Sequence, residues 1–279
     1  MSASLLRARG LSPKKALGQN FLTDPRTAER IAEAAAPSGG TVLEIGPGTG
    51  ALTRPLLARA DRVIAIERDR DLVPLLRDEL ADAIASNQLS VVEGDATAVA
   101  WLPLLESGPA PRALAGNLPY LLTGKLIEQA VTLAPHIERA VVMVQLEVAE
   151  RLAAQPSTKA YGALTVFVQA AFDVERLLVA RAGAFYPRPE VDSAVVVLHR
   201  RAAPRATEDE ALRALVKGAF GQRRKTLRNA WRGVFGWSTD ELAARATSAG
   251  IDLDRRGETL SVEEFEAMAR LGRATPRSA

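Results

Sequence analysis

Thr41-Val42-Leu43-Glu44-Ile45-Gly46-Pro47-Gly48-Thr49-Gly50 decides the fold. Thr41 to Ile45 reads as a short buried strand that passes without a spacer into a glycine-rich turn. Glycines there let the backbone approach a ligand closely, as in dinucleotide-binding folds. The spacing is G-x-G-x-G, however, and not G-x-G-x-x-G. Pro47 also removes an N–H donor that a pyrophosphate would use. The turn therefore suits a ligand that carries adenosine without phosphates, and S-adenosylmethionine is the obvious one.

Outward from this stretch, strands and helices alternate. Thr23-Asp24-Pro25 signals a helix start, with a capping side chain and proline at the first helical position, and the helix should end near Ala36. Helices are expected from about Leu52 to Arg59, Asp71 to about Ala83, and Thr123 to Leu133. Strands are expected at Arg62–Glu67, Leu89–Glu93, Ala113–Gly116 and Ala140–Gln145. This alternation implies βαβ units and a mainly parallel, Rossmann-like α/β sheet. Tyr161–Phe172 and Ser193–Arg200 are expected to extend it, with antiparallel pairing near the edge. From Glu208 onward helical periodicity takes over. The chain thus divides into a basic N-terminal segment, 1–24 (irregular over its first twenty residues), a cofactor-binding domain, 25–203, and a small helical domain, 206–270. Ala202-Ala203-Pro204-Arg205 is the linker, and 271–279 reads as a frayed tail.

Composition narrows the chemistry. The 279 residues are 47% hydrophobic and 25% charged, with no cysteine and only His136 and His199. Disulfide and thiolate chemistry are excluded, and a histidine-rich metal site or a Ser-His-Asp constellation is disfavoured. No stretch approaches the roughly 18–20 apolar residues of a membrane span. The net charge is +3, and the 36 basic residues comprise six lysines and thirty arginines. Arg7, Arg9, Lys14 and Lys15 precede the first acidic residue, Asp24, and Arg223, Arg224, Lys225, Arg228 and Arg232 crowd into ten positions. Two such clusters can form a phosphate-binding surface, or equally a solvated tail and a solvated helix face. No secretory signal is evident, and the reading is cytoplasmic. With no heptad seam, it is also monomeric.

Three successive strands deliver groups to one edge of the sheet. Gly46 and Gly48 form the turn. Glu67, 21 positions after Gly46, stands where a carboxylate accepts from both ribose hydroxyls. Asp95 is placed to accept from the adenine amine of the cofactor. Asn117-Leu118-Pro119-Tyr120 then follows the fourth strand. An adenine N6 amine is a poor nucleophile because its lone pair is delocalised into the ring. The Asn117 side-chain oxygen and the Leu118 or Pro119 carbonyl, set against its two N–H groups, would localise that pair. Tyr120 offers a stacking face worth roughly 1–3 kcal/mol per base. Positioning at near-attack distance can supply around 7–11 kcal/mol, and no general base is needed early. Phe185, in Phe185-Tyr186-Pro187-Arg188-Pro189, reads either as the other side of an aromatic clamp around an extruded base or as a core residue beside a stiff turn.

These residues together resemble the small-subunit ribosomal RNA adenine dimethyltransferases. The resemblance spans about residues 14 to 262 and includes Gly18-Gln19-Asn20-Phe21-Leu22, Glu44-Ile45-Gly46-Pro47-Gly48, Gly94-Asp95-Ala96 and Asn117-Leu118-Pro119-Tyr120. It continues through Gln145–Leu152, Tyr161-Gly162, Val191–Val195 and Gln222–Asn229. It implies that Asn20 and Leu22 close over S-adenosyl-L-methionine beside Gly46, Glu67, Asp95 and Asn117. It further implies dimethylation of two adjacent adenosines in a 3′-terminal hairpin loop of small-subunit rRNA during ribosome assembly. The family usually continues with Asn-Ile-Ser where Leu121-Leu122-Thr123 stand here. Phe220, Leu227 and Trp231 are spaced as one inward face of a helix, leaving Arg223, Arg224, Lys225 and Arg228 to grip RNA phosphates. The rival readings are a large-subunit rRNA adenine methylase, and a non-catalytic RNA-binding assembly or transcription factor on the same fold.

Overall fold

In the computed structural model, which describes residues 2–222 and 224–274, seven strands form one sheet. We number the strands β1 Phe21–Leu22, β2 Thr41–Ile45, β3 Arg62–Glu67, β4 Leu89–Glu93, β5 Arg112–Asn117, β6 Arg139–Gln145, β7 Phe172–Ala180, β8 Phe185–Tyr186 and β9 Ser193–Arg200. The sheet order is β4-β3-β2-β5-β6-β9-β7, and β1 and β8 make a separate two-stranded pair. Strands β2 to β6 pair in parallel, and β9 runs antiparallel to β6. Every residue of β2 is buried, as a central parallel strand covered on both faces must be. The helix Pro25–Ala35 starts where Asp24 caps the Thr27 N–H at 3.1 Å, with Pro25 at its first position.

The order in which strands are added reverses between the parallel neighbours β2 and β5, which creates the crevice where open α/β sheets bind ligands. Register then fixes what meets there. Ile45 pairs with Ile66 on one side and with Gly116 on the other. The next residues, Glu67, Gly46 and Asn117, therefore stand in one row across three neighbouring strands. At about 4.8 Å per strand, that row spans about 10 Å.

The chain divides into two compact units: residues up to Ala149 with Val174–Arg200, and Glu150–Asp173 with Arg201 onward. The second unit thus draws on an internal segment as well as on the expected helical region. The run Tyr161–Phe172, expected to extend the sheet, is instead the helix Ala163–Ala171, and the strand β7 follows it. Its residues from Thr165 to Ala171 are all buried, so it is apolar all round, and periodicity alone cannot separate such a helix from a buried strand. The Thr165 hydroxyl accepts from the Gly162 N–H at 3.1 Å, which fixes the helix start.

Phe220, Leu227 and Trp231 do not share one helix. The chain breaks between the helices Glu210–Gly221 and Leu227–Ala230. Gly221 ends the first, and Thr226, in extended geometry, opens the second. The inward packing survives the break. Phe220 lies against Tyr161 and Phe265 (ring centroids 5.9 and 6.1 Å), and Trp231 meets Phe265 edge-on at 6.2 Å.

Two terminal expectations also change. The N-terminal segment is not irregular throughout, because Ser2–Ala8 is helical and Leu6 is buried with Phe21 and Leu72. Leu271–Arg273 continue the helix Val262–Arg273, and the rest of the expected tail from 275 lies outside the described residues.

Candidate functional site

The three glycines of the turn, Gly46, Gly48 and Gly50, adopt φ of +70°, +59° and +79°, left-handed geometry that side chains disfavour. Gly48 has a second constraint, since a Cβ there would lie 2.8 Å from the Phe21 ring. The Gly48 N–H donates to Glu67 Oε2 at 3.0 Å, and the Asp69 N–H donates to Oε1 at 2.8 Å. Burial pushes the Glu67 carboxyl up, and these two N–H groups pull it back. A carboxylate accepts about four hydrogen bonds, so two remain for a ligand. Asp95 is held below the usual carboxylate range, first by the Thr97 N–H and then by the Thr97 hydroxyl, at 2.9 and 2.8 Å.

A strap from residue 14 to residue 22 closes over this edge. Lys14 Nζ pairs with Asp69 and Asp71 at 2.5 and 2.7 Å, and Gln19 Nε2 donates to Asp69 Oδ2 at 2.7 Å. Burial would raise the Asp69 carboxyl, but Lys14 and Gln19 outweigh it and hold the group below its ordinary value. At the other end of the strap, Asn117 Nδ2 donates to the Asn20 backbone carbonyl at 2.7 Å. This bond orients the amide, because the opposite rotamer would set two acceptor oxygens against each other. Asn117 therefore presents Oδ1 elsewhere, as an acceptor.

The rest of the tetrapeptide is fixed just as closely. The Leu118 N–H donates to the Met143 carbonyl at 3.0 Å. The Pro119 carbonyl is already taken by the Leu122 N–H and the Thr123 hydroxyl, each at 3.0 Å. Of the two carbonyls the sequence left open, only that of Leu118 is uncommitted to these turn donors. The Tyr120 hydroxyl lies 3.2 Å from Ser193 Oγ, so β9 sets the ring's position. Leu121, between the cleft-lining Tyr120 and Leu122, is 81% exposed and does not itself line the cleft.

One cleft is lined by Asn20, Leu22, Gly46, Gly48, Glu67, Asp95 and the stretch Asn117 to Tyr120. Phe185 does not line it. As a clamp residue it is corrected to the core: it is 5% exposed, pairs with Leu22 in register and packs in the main apolar cluster. Its neighbour Tyr186, 37% exposed, points to the opposite side. Arg224, Lys225 and Arg228 are exposed on the second unit, Arg228 paired with Asp254 at 3.2 Å, while Arg223 lies outside the described residues.

Four contributors have no role in the sequence reading. Gln19 and Asp69 fasten the strap, and Ser193 positions Tyr120. The fourth is Glu44, which also lines the cleft and is 1% exposed. Neither of its carboxyl oxygens has a hydrogen-bond partner among the described residues. Burial pushes its carboxyl up to about 8, with Glu67 adding to the rise and the Thr53 hydroxyl opposing it. The folded chain thus holds this proton to about pH 8, whereas the unfolded chain loses it near the ordinary value of 4.5. Between those limits the folded state binds more protons, so stability falls as pH rises, by up to ~1.4 kcal/mol per pH unit. Urea unfolding of the ligand-free chain from pH 5 to 8 should show this decline. Glu44→Gln should flatten it, and an unchanged slope in that variant would assign the decline elsewhere.

The ionisable groups lining the cleft are three carboxyls, Glu44, Glu67 and Asp95, and one arginine, Arg68, which lies 3.4 Å from Asp95. That acceptor-rich set opposes a pyrophosphate and suits a cationic nucleoside. S-adenosylmethionine fits on both counts.

The sequence model of the ribosomal RNA adenine dimethylase family matches residues 10–271. The chain is 43% identical to the ribosomal RNA small subunit methyltransferase A of Anaeromyxobacter sp. (strain K) over 277 residues, 96% of each chain. It is 41% identical to that of Geobacter sulfurreducens, covering 95% of this chain and 97% of the other. Among solved structures it is similar to a dimethyladenosine transferase of Plasmodium falciparum, with TM-score 0.75, 26% identity, and coverage of 89% and 95%. It is also similar to the 23S rRNA methyltransferase ErmE, with TM-score 0.64, 30% identity, and coverage of 90% and 98%. With a match over almost its whole length and an acceptor tetrapeptide set beside a nucleoside cleft, the chain belongs to the ribosomal RNA adenine dimethylase family.

Proposed function

We propose that the chain transfers methyl groups from S-adenosylmethionine to the N6 amines of two adjacent adenosines in a 3′-terminal hairpin loop of small-subunit rRNA. The observation that carries this is the Asn117 amide, oriented by the Asn20 carbonyl and standing in one row with Gly46 and Glu67. Curated relatives at 41–43% identity are small-subunit enzymes, whereas ErmE, a large-subunit enzyme, stands at 30%.

S-adenosylmethionine, when bound, supplies an electrophilic methyl carbon on its sulfonium. Glu67 would accept from the ribose hydroxyls, Asp95 from the adenine amine, and the strap residues Asn20 and Leu22 would cover the ligand. Asn117 Oδ1 and the Leu118 carbonyl would accept the two N–H groups of the target amine and localise its lone pair. Tyr120, steadied by Ser193, would stack on the base. The methylated amine is acidic enough to lose its proton to solvent, so no side chain need act as a base. Arg224, Lys225 and Arg228, with Arg223, would contact RNA phosphates and give affinity without sequence information. The chain would act as a cytoplasmic monomer on an assembling small subunit.

The test uses radiolabelled S-adenosylmethionine with unmethylated small subunits and, separately, large-subunit RNA, followed by mass spectrometry of modified adenines. Dimethyladenine at two adjacent loop positions of the small-subunit RNA is expected. Transfer to large-subunit RNA alone would move the chain to that substrate. Binding without any transfer would leave an assembly factor in place of an enzyme.

A further inference from the structure

We propose that Glu44 is a proton-releasing group that ionises when cationic S-adenosylmethionine binds and stays protonated with the neutral product S-adenosylhomocysteine. This rests on the cofactor reading above.

Its position makes Glu44 unusual. In the sheet it lies between Ala65 and Ala115, and two residues earlier on the same face Val42 lies between Val63 and Ala113. All five of these neighbours are core residues, so the carboxyl emerges from an apolar face. Both of its oxygens are buried, and the Thr53 hydroxyl beside them, which holds down the rise of the carboxyl, falls short of full hydrogen-bond geometry and has no other partner among the described residues. Buried polar groups are nearly always paired, and one left unpaired at the lining of a cleft calls for an explanation. A ligand that completes its electrostatics is the simplest one.

No element packed around it supplies that completion. From β3 it faces Glu67, a like charge whose oxygens hold the Gly48 and Asp69 N–H groups. From β5 it faces Ala115 and, two residues on along the same face, the neutral Asn117. The helix Thr53–Leu57 offers Thr53, while Arg54 reaches away to Glu79 at 3.0 Å. The helix Pro25–Ala35, which shares the apolar cluster of this face, carries its charges, Arg26, Glu29, Arg30 and Glu33, on its exposed side. In the strap, Lys14 is committed to Asp69 and Asp71. Arg68, the one cation of the lining, is 54% exposed and directed at Asp95. Among the described residues, then, no cation is left to stabilise an ionised Glu44.

The two forms of the cofactor differ in the charge that is missing. S-adenosylmethionine carries a sulfonium and an ammonium against one carboxylate, a net charge of +1. Loss of its methyl group leaves a thioether and a zwitterion of net charge zero. With the sulfonium present, Glu44–COOH gives Glu44–COO⁻ and one proton that passes to solvent. When the thioether replaces the sulfonium, the carboxylate takes one proton back. Substrate binding thereby gains a charge pair that the product cannot keep, which favours exchange of product for fresh cofactor in each of the successive transfers. By linkage, affinity for S-adenosylmethionine should rise by about tenfold per pH unit below the Glu44 transition, while that for S-adenosylhomocysteine stays flat.

The test is titration calorimetry of the full-length chain with each ligand at pH 7, in three buffers of different ionisation enthalpy. The slope of heat against buffer enthalpy counts protons. Near one proton released with S-adenosylmethionine, near none with S-adenosylhomocysteine, and none with either in Glu44→Gln is the expected pattern. Equal counts for the two ligands in the wild type, or full release persisting in Glu44→Gln, would overturn it. Should that variant fail to fold, infrared difference spectra of the wild type with carbon-13-labelled glutamate answer the same question. The protonated-carboxyl band must vanish with S-adenosylmethionine and remain with S-adenosylhomocysteine, and any other result sinks the proposal. Failure of S-adenosylmethionine to bind at all is a separate outcome, which removes the cofactor reading and this inference with it.

Discussion

Asn117→Ala is expected to lower methyl transfer by about 10³-fold at saturating RNA and cofactor, a loss at the upper end for one preorganised polar group. The size follows from what Oδ1 does. Without it, one N–H of the target amine loses its acceptor, and the lone pair stays in the ring. The same substitution breaks the 2.7 Å bond to the Asn20 carbonyl, which loosens the strap. That bond is neutral, so its loss should cost only about 1 kcal/mol of stability, and a melting curve should move little. Single-turnover transfer measured beside equilibrium binding separates the two effects. Asn117→Asp sharpens the comparison: it keeps an acceptor oxygen but turns a second one toward the Asn20 carbonyl. It should therefore also fail to transfer, and in addition bind cofactor more weakly. A rate within tenfold of wild type for Asn117→Ala would remove the amide from the chemistry.

Glu67→Ala should weaken S-adenosylmethionine binding by at least ~10²-fold, because two hydrogen bonds to a charged acceptor are each worth about 1.5–3 kcal/mol. The variant also strands the Gly48 and Asp69 N–H groups, which lose their partners at 3.0 and 2.8 Å. Each buried donor left without an acceptor costs about 1–3 kcal/mol, so the melting temperature should fall as well. Glu67→Gln distinguishes ribose recognition from support of the turn. Its single oxygen can serve only one of the two backbone donors, and its amide cannot accept from the second ribose hydroxyl. Calorimetric titration gives the affinity directly. A dissociation constant unchanged within threefold in Glu67→Ala would place the ribose elsewhere.

Much of this site is legible in the linear chain because each functional group follows an apolar strand of distinctive length. Glu67, Asp95 and Asn117 could be set on one edge before any coordinates, since parallel strands in βαβ units end on the same side. What stayed hidden depended on partners far away in sequence. The helix Ala163–Ala171 and a buried strand share one apolar pattern, and only packing tells them apart. Strand β7 carries Asp173, Glu175 and Arg176 and is half exposed, so it lacked the expected apolar run. Phe185 and Tyr186 alternate faces, and the pairing of Phe185 with Leu22, some 160 residues away, decides which is buried. Glu44 was visible as an acid in a strand. That its carboxyl has no partner is a property of Ala65, Ala115 and Thr53, which sequence spacing does not connect to it.

The discontinuity of the second compact unit has a consequence for biosynthesis. The helix Ala163–Ala171 leaves the ribosome well before the helix Val262–Arg273, which packs against it. At roughly 5–20 residues per second, the ninety residues between them take about 5–18 s to make. For that interval Val166, Phe167 and Val168, all buried in the finished protein, emerge without their cover. A message cut short after Arg200 would encode every strand of the sheet and still yield a nascent chain with that oily surface bare, a ready client for chaperones and a poor candidate for recombinant truncation.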